Sequence, residues 1–523
     1  MSFIQLTDPK LHFGRVMSYS KKILLGSVSR VLNMIVNVIV GFFLMPIIIH
    51  SLGDRIFGFW TLVANIIGYY GLLDLGIVSA VQFYVAKSIG EEDREKANQT
   101  ISTAFFIFLT IGIVIFLVTI VISAFTWKFV SSEMEQVLFK KVLLLMGIGF
   151  AIGFPGRAFI GVISANLKWE LISFVNILCL IIRTTAIWIY LKNNGGIVGL
   201  ALIVVIVDIV SYVSFFAISK LIHYKFKIST MLVKLQVLKD LVNYSVYTFI
   251  FKTGDQLRFF VDSVVIGKYI GLTSVTHYSI ASRLSIYFMD FMIALINYTS
   301  PFFSVLQAKK GNEYIKEVYV ISSKIAILIG TFVSAMLIFY GKTFITLWVG
   351  DDYVDSYMVL IILVFGMFFE VSQLPSSSYL FGVAKHKYLS FITCLEGGLN
   401  LIISLILVKK YGIIGVACGT TIPMVFFKLI ILPNYVLNHV GLSKKEYYMD
   451  ILFVSFLTTI LPNILIYNII SKYYIINSFT SLIASILFQF VVSIPIVYIF
   501  VLSREEKSRI IRIFSKSINP IKI

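Results

Sequence analysis

Long apolar stretches alternate with short polar segments along the whole chain. Fourteen of these stretches approach or exceed the roughly 20 residues that a helix needs to cross a bilayer. They lie at 23–49, 56–85, 99–125, 142–163, 169–191, 197–219, 241–267, 275–303, 318–340, 356–381, 388–408, 412–432, 449–470 and 478–502. The connecting segments are short, so the pattern predicts an all-α polytopic membrane protein with about 14 transmembrane helices and no separate soluble domain.

Composition supports this class of protein. Of the 523 residues, 59% are hydrophobic and 13% are charged, and the charged share is about half of that in soluble domains. The mean hydropathy is +0.94. Cys179, Cys394 and Cys418 all lie in apolar stretches without metal-ligand spacing. We therefore predict no metal site, no resident cofactor and no catalytic residue.

The basic residues predict the orientation. The formal net charge of +18 could indicate nucleic-acid binding in a soluble protein, but Lys and Arg collect in cytoplasmic loops of membrane proteins. With the N-terminus inside, inside segments carry 26 Lys and Arg, outside segments carry 10, and eight lie within apolar stretches. Both termini are predicted to be cytoplasmic, and no nucleic-acid partner is expected.

An internal repeat relates the first twelve predicted helices. Gly53 corresponds to Gly271 at an offset of 218, Pro155 to Pro375 at 220, and the segment from Gly196 to the one from Gly412 at 216. Because each unit has an even number of helices, the pattern predicts two six-helix bundles of the same orientation. The predicted segments are 1–239 and 240–433 for the bundles, and 434–523 for two extra helices and a basic cytoplasmic tail.

Polar side chains recur at helical spacing inside several stretches. A cation at the bilayer centre costs about 2.5–3.5 kcal/mol, so such residues usually face a wet cavity. We predict that an anionic substrate contacts this set: Arg30, Asn33, Asn37, Arg258 and Arg283. For the seventh helix, the alternative is that its charges pair with one another and hold helices together, because charges of both signs recur there at three- and four-residue spacing. These residues are Lys252, Asp255, Arg258 and Asp262.

Three acids and two prolines form a second set of candidates. Asp74, Asp290 and Glu370 lie in apolar helices, where each either binds a coupling proton or Na⁺ or makes a structural hydrogen bond. Pro155 and Pro375 each remove a backbone hydrogen bond from a helix interior and lie at matched positions. They predict paired hinges, with static kinks as the alternative.

Other charges have a plainer interpretation. Arg183, Asp208 and Glu396 appear as isolated charges on other helices. Lys428 lies near a predicted cytoplasmic helix end, where snorkelling of its side chain to the interface is expected.

Several motifs resemble the polysaccharide flippase family of the Wzx type. That family belongs to the superfamily of multidrug, oligosaccharidyl-lipid and polysaccharide exporters. The motifs are Phe43-Leu44-Met45-Pro46, Leu52-Gly53 with Phe57-Gly58-Phe59-Trp60, Leu73-Asp74-Leu75-Gly76-Ile77, Val264-Val265-Ile266-Gly267, Tyr278-Ser279-Ile280-Ala281-Ser282-Arg283-Leu284 and Pro301-Phe302-Phe303-Ser304. The chain departs from the family at Arg55 and Phe57, where Glu and Tyr are usual.

The resemblance implies a flippase of the bacterial inner membrane and not an enzyme. It would move an undecaprenyl-diphosphate-linked oligosaccharide to the periplasmic leaflet for O-antigen (lipopolysaccharide), capsule or exopolysaccharide synthesis. Its partners would be that lipid-linked substrate, membrane lipids, and the polymerase and chain-length proteins of the pathway. One alternative is a small-molecule or multidrug exporter, which a cationic cavity disfavours. The other is a glycan polymerase or ligase, which needs a large external loop.

Overall fold

The computed structural model describes residues 9–130, 132–222, 226–296, 299–308, 312–383 and 385–500. The described part is helical throughout and contains no strand. Its α-helices are α1 (Pro9–Leu52), α2 (Asp54–Tyr70), α3 (Ile77–Gly90), α4 (Arg94–Ala124), α5 (Glu133–Gly153), α6 (Arg157–Ala165), α7 (Trp169–Lys192), α8 (Ile197–Ile222), α9 (Leu235–Tyr269), α10 (Leu272–Ile296), α11 (Thr299–Ala308), α12 (Asn312–Val349), α13 (Ser356–Ser372), α14 (Leu374–Gly382), α15 (His386–Phe426), α16 (Leu432–Val440), α17 (Val454–Tyr473) and α18 (Phe479–Phe500).

These helices confirm the predicted fold class. Among the described residues, eleven helical segments are long and apolar enough to cross a membrane. One of them, Lys387–Val440, contains two predicted spans, because Gly412 kinks α15 with φ 58°. The helices α9 and α18 cover two further predicted stretches. A polytopic all-α protein with about fourteen membrane helices therefore stands.

The chain forms two compact units. Unit 1 comprises Met1–Thr253 with Gly271–Thr273, and unit 2 comprises Gly254–Ile270 with Ser274–Ile523. The repeat, and the division into segments 1–239, 240–433 and 434–523, stay predictions.

Three predicted spans of the described chain are broken by short non-α turns. A 3₁₀ turn at Phe154–Gly156 separates α5 from α6 around Pro155, and Gln373 interrupts the helix two residues before Pro375. Both prolines therefore lie at helix breaks, while their role as hinges stays a prediction. The third break was not predicted: a 3₁₀ turn at Gly71–Asp74 leads into Gly76, whose φ of 77° favours glycine.

Inside unit 1, α7 packs against α1 and α8, while α5 packs against α4 and α8. The short α6 packs against α3 and α8. Because α8 contacts α5, α6 and α7, it lies beside α7 and beside the two helices that flank the Pro155 break.

In unit 2, α13 packs between α12 and α15, and α17 packs on α12. A π-helical turn at Phe427–Ile431 follows α15. Pro433 has no N–H to donate to the carbonyl of Leu429 four residues earlier, and the hydroxyl of Tyr448 donates to that carbonyl at 2.5 Å. Tyr448 belongs to a second π-helical segment, Glu446–Phe453, which leads into α17.

Candidate functional site

Unit 1 encloses a polar cavity of about 320 Å³. Helices α1, α6, α7 and α8 supply its walls. Its lining residues are Asn33, Asn37, Ile160, Asn176, Cys179, Leu180, Arg183, Asp208, Ser211, Tyr212 and Phe215. Amide and hydroxyl groups dominate this wall, although the helices that carry it are strongly apolar. The cavity therefore concentrates hydrogen-bonding groups inside a membrane-spanning unit.

One ion pair crosses the cavity wall. Arg183 of α7 donates through Nη2 to Asp208 Oδ1 of α8. Their side chains remain 27% and 39% exposed, so the pair is accessible from the cavity and is not sealed in the packing. Among the residues that the structure describes, Arg183 and Asp208 are the only charged ones that line this cavity. The wall is therefore close to electrically neutral.

The amides of α1 complete the same wall. Asn37 Nδ2 donates to the carbonyl of Asn33 at 2.8 Å and to Asn33 Oδ1 at 3.2 Å. The structure thus brings together two of the five residues that the sequence predicted for substrate binding. Neither residue was expected to lie beside Arg183 and Asp208.

Helical spacing explains why these residues converge. Asn176 and Arg183 are seven apart on α7, and Asp208, Ser211 and Tyr212 recur at three- and four-residue spacing on α8. Such residues share one face of a helix. The interpretation of Arg183 and Asp208 as isolated charges was wrong, because it treated each helix separately. The polar stripes of α7 and α8 are visible in the sequence, but which stripes face each other is decided only by the packing of the helices.

Tyr212 links this cavity to the Pro155 break. A Cβ on Gly153 would lie 2.5 Å from Tyr212 Cδ2, and a Cβ on Gly156 would lie 2.7 Å from Tyr212 Cβ. The two glycines on either side of Phe154-Pro155 therefore form a notch that holds the tyrosine. A longer side chain at either position would displace the cavity wall.

The interior of unit 2 contains a second cluster of charges. Lys428 Nζ lies 3.0 Å from Glu370 Oε2 and 3.6 Å from Glu396 Oε2, and only 2% of the lysine side chain is exposed. The expectation that Lys428 snorkels to the interface was wrong, because the π-helical turn places it opposite two buried acids. Glu396 is likewise not isolated. Glu370, predicted as a coupling acid, lies in this triad.

A buried carboxylate on α9 collects hydroxyl groups. Tyr278 donates to Asp262 Oδ2 at 2.5 Å, and Thr420 donates to the same oxygen at 2.8 Å. Asp262 is 3% exposed. Ser404 donates to Asn400 Oδ1 at 2.9 Å next to Thr420. The sequence placed Asp262 on a charged stripe but gave no indication of these neutral partners.

Hydrogen bonds surround the Pro375 break. Gln373 Nε2 donates to Tyr447 Oη at 2.5 Å, and Ser376 donates to Gln373 Oε1 at 2.7 Å. The hydroxyls of Ser376 and Tyr319 are 2.8 Å apart. All these side chains are buried. The break is therefore held by a connected polar network that ties α12, α14 and the Glu446–Phe453 segment together.

The other predicted residues whose side chains are described do not line the unit 1 cavity. Arg30 is exposed on α1, with its Cζ 4.8 Å from the centroid of Trp169. Arg283 is exposed on α10, Asp290 is half-buried on the same helix, and Asp74 is buried at the break before α3. The side chain of Arg258, like those of Lys252 and Asp255, lies outside the described residues.

The described residues contain no cluster of three or more His, Cys, Asp or Glu side chains that could hold a metal ion. The chemistry of the unit 1 cavity is that of hydrogen bonding and ion pairing. Such a wall can bind and orient a polar ligand.

Comparison with known proteins places the chain. The family model described as "Polysaccharide biosynthesis protein" matches residues 55–358, which is more than half of the chain. The chain therefore belongs to the polysaccharide biosynthesis protein family, which confirms the resemblance that its sequence motifs indicated. This is a class of membrane transporters and not of enzymes.

Individual relatives agree with this class. The membrane protein EpsK of Bacillus subtilis (strain 168) is 21% identical over 80% of this chain and 84% of its own length. A putative O-antigen transporter of Shigella flexneri is 21% identical over 73% of this chain and 90% of its own. Among solved structures, the lipid II flippase MurJ in an inward closed conformation has a TM-score of 0.71, with 17% identity and 91% and 98% of the two chains covered.

A multidrug resistance transporter of the MATE family, in an inward-facing conformation, has the same fold with a TM-score of 0.62. It is 15% identical and covers 79% of this chain and 98% of its own. Both structural likenesses concern the fold alone.

Proposed function

We propose that this protein flips an undecaprenyl-diphosphate-linked oligosaccharide repeat unit from the cytoplasmic to the periplasmic leaflet of the bacterial inner membrane. The glycan then enters O-antigen, capsule or exopolysaccharide synthesis. Movement is by alternating access, with no covalent step. Family membership and the relative described as a putative O-antigen transporter support this substrate class.

The observation that carries the proposal is the polar cavity inside unit 1. Asn33, Asn37 and the Arg183–Asp208 pair border it, within helices that are otherwise apolar. Polar side chains inside a membrane cost free energy and are usually functional. A protein that served only as a membrane anchor would have no use for these groups. A transporter for a hydroxyl-rich ligand needs them.

The physics of the substrate demands such a cavity. A glycan headgroup crossing hydrocarbon would lose water from its hydroxyls without replacement, and each unpaired hydroxyl costs several kcal/mol. A diphosphate adds charges whose desolvation is costlier still. A wet, polar passage replaces the lost hydrogen bonds, and hydrogen bonds to charged groups are worth about 1.5–3 kcal/mol each. The lipid tail can stay in the bilayer.

Direction requires a driving force. We propose a proton or Na⁺ gradient, with Asp74, Asp290 and Glu370 as candidate coupling acids, or consumption of the flipped product on the far side. The matched breaks at Pro155 and Pro375 would let the helices bend as access alternates. Polymerase and chain-length proteins of the same pathway would act on the product.

The experiment is a vesicle assay on the purified full chain. Lipid-diphosphate-linked oligosaccharide carrying a fluorescent group is placed in vesicles with and without the protein. A reagent that cannot cross the membrane then quenches the outer leaflet. A flippase raises the quenched fraction beyond one half, since it brings inner-leaflet lipid out. Vesicles containing a protein denatured before reconstitution provide the control.

A second experiment deletes the gene in its host. Loss of surface polysaccharide, with the lipid-linked unit accumulating at the cytoplasmic face, is the expected result. Unchanged polysaccharide together with reduced export of an organic cation would overturn the proposal in favour of a small-molecule exporter.

A further inference from the structure

We propose that the unit 1 cavity is a subsite for an uncharged sugar ring of the transported glycan. The inference rests on the proposed function and names the chemistry that this cavity recognises. It concerns the headgroup and leaves the diphosphate to other residues.

The charge of the wall excludes the competing ligand classes. Arg183 donates to Asp208, and no other charged residue of the described part of the chain lines the cavity. A phosphate or an acidic sugar would meet the like charge of Asp208 beside the guanidinium. An organic cation would meet the like charge of Arg183 beside the carboxylate. Because the two charges already balance, either ionic ligand would add one uncompensated charge to the cavity, and such a charge is costly away from bulk water.

The remaining polar groups suit sugar hydroxyls and acetamido groups. Asn176 offers an amide donor and an amide acceptor, Asn33 offers its Nδ2 donor, Asn37 offers its Oδ1 acceptor, and Ser211 offers a hydroxyl. Amides and hydroxyls can pair with a ligand group that both donates and accepts, as every sugar hydroxyl does. Sites of this kind discriminate strongly against ligands that lack the matching groups, because their own polar groups are then left unpaired.

The size and the apolar part of the wall fit the same ligand. A cavity of about 320 Å³ lies at the lower end of the range for small-molecule sites, about 300–1,000 Å³. It suits a small headgroup and not a long oligosaccharide. Tyr212 and Phe215 contribute aromatic surface, against which the C–H face of a sugar ring can pack.

The chain contains its own reporter for this cavity. Cys179 lines it, and the other two cysteines, Cys394 and Cys418, lie in unit 2. In the C394A/C418A variant, a small membrane-permeant thiol reagent reports access to Cys179 alone. A ligand in the cavity slows that reaction by the factor 1 + [L]/Kd, so the rate falls about tenfold when the ligand concentration is about ten times Kd.

The test compares probes on this variant in nanodiscs. The probes are undecaprenyl diphosphate alone, the same lipid carrying one neutral hexose or one N-acetylhexosamine, and the same lipid carrying one hexuronic acid. Protection of Cys179 by a neutral-sugar probe, without protection by the bare lipid or the uronic acid, is expected. N176L should abolish protection, expressed for each variant as the ratio of its own labelling rates with and without the probe. The control variant N468L changes an exposed asparagine of α17 and should retain the protection of Cys179.

Other outcomes overturn the proposal. Equal protection by the bare lipid would assign the cavity to the diphosphate, and protection by the uronic acid alone would assign it to acidic sugars. Absence of protection by every probe, with normal flipping by the same variant in vesicles, removes the cavity from glycan binding but leaves the proposed function intact. Absence of flipping by the unmodified protein would instead overturn the proposed function.

Discussion

Lys428 and Glu370 form an ion pair in the interior of unit 2, with Nζ 3.0 Å from Oε2. Glu396 lies on the other side of the same ammonium, at 3.6 Å. Removing one member of a buried pair leaves a charge without compensation and typically costs about 3–5 kcal/mol. The single positive charge of the lysine thus lies between two acids, one on α13 and one on α15.

Lys428→Met should therefore destabilise the protein strongly, by about 3–5 kcal/mol. Thermal unfolding of the detergent-purified variant measures it, with K410M, an exposed lysine of α15, as the matched control. The triple variant E370Q/K428M/E396Q removes all three charges and should regain much of the loss. A K428M protein as stable as K410M would contradict the importance of this pair.

The sequence predicted the helices of unit 2 well but not this pairing. Apolar length and punctuation by Gly and Pro are local signals, so the spans and the breaks at Pro155 and Pro375 followed directly. Which charges meet depends on how helices rotate against each other. The orientation of Lys428 depends in addition on a π-helical turn, which adds a residue to the helical repeat and re-aims every side chain after it.

The unit 1 cavity illustrates the same limit. Asn33 and Asn37 were predicted because they form a stripe on one helix. Their neighbours on α7 and α8 were missed, because Arg183 and Asp208 each seemed solitary along the chain. Pairing across two helices appears only when the stripes are superimposed in three dimensions.

Alanine at Gly153 or Gly156 should destabilise unit 1 by about 1–3 kcal/mol, the usual cost of overpacking. The two variants should respond differently to Tyr212→Ala. The new Cβ of G153A meets the tyrosine ring, so removing the ring should restore stability. The new Cβ of G156A meets Tyr212 Cβ, which alanine retains, so G156A should remain unstable.

Thermal unfolding measures both glycine variants. G398A is the control, because a Cβ there has no heavy atom within 4 Å. If G153A and G156A unfold at the same temperature as G398A, the notch around Tyr212 is not tightly packed.

Arg30, Arg258 and Arg283 should each be needed for export if they contact the diphosphate or acidic sugars. Alanine at each position should lower surface glycan about tenfold or more, as expected for loss of one charged hydrogen bond, while the protein stays in the membrane. Lysine should rescue only in part, because it keeps the charge but loses the planar, two-pronged geometry. At Arg30 it also loses the stacking on Trp169.

Surface glycan at native expression measures these variants, with immunoblotting of membranes for protein level. R94A, an exposed residue at the start of α4, is the matched control. Normal export by all three alanine variants would refute diphosphate binding by these arginines. Disappearance of the proteins from the membrane would indicate that the arginines have a structural role instead.

Topology can be tested independently of transport. The positive-inside distribution predicts cytoplasmic termini and predicts that Asp351, Asp352 and Asp355 lie outside. Reporter fusions after Leu502 and next to Asp352 should therefore give cytoplasmic and periplasmic signals respectively. A periplasmic signal from the fusion after Leu502 would mean that the number of spans is odd, which would refute the fourteen-helix topology.

The last prediction concerns ion coupling. Glu370 is the most informative acid to test, because it belongs to the charged triad with Lys428 and Glu396. If Glu370 takes up a proton, Lys428 still has Glu396 at 3.6 Å, so the cluster can change its charge without leaving the ammonium alone. Glu370→Gln should therefore preserve folding, in contrast to K428M. A coupling role predicts that E370Q flips substrate in vesicles at a rate that no longer responds to an imposed proton or Na⁺ gradient.

Asp74→Asn and Asp290→Asn provide the comparison in the same assay. Asp74 is buried at the break before α3, where its Oδ1 accepts from the N–H of Val78 at 3.4 Å. Asparagine keeps an acceptor there and removes only the charge, so D74N should change thermal stability little and leave gradient dependence unchanged. Loss of gradient dependence at one acid alone would identify it as the coupling group, because a structural acid affects folding or binding and not the response to a gradient. If gradient dependence persists in E370Q, D74N and D290N, then none of these three acids couples an ion, and consumption of the flipped product would have to set the direction of transport.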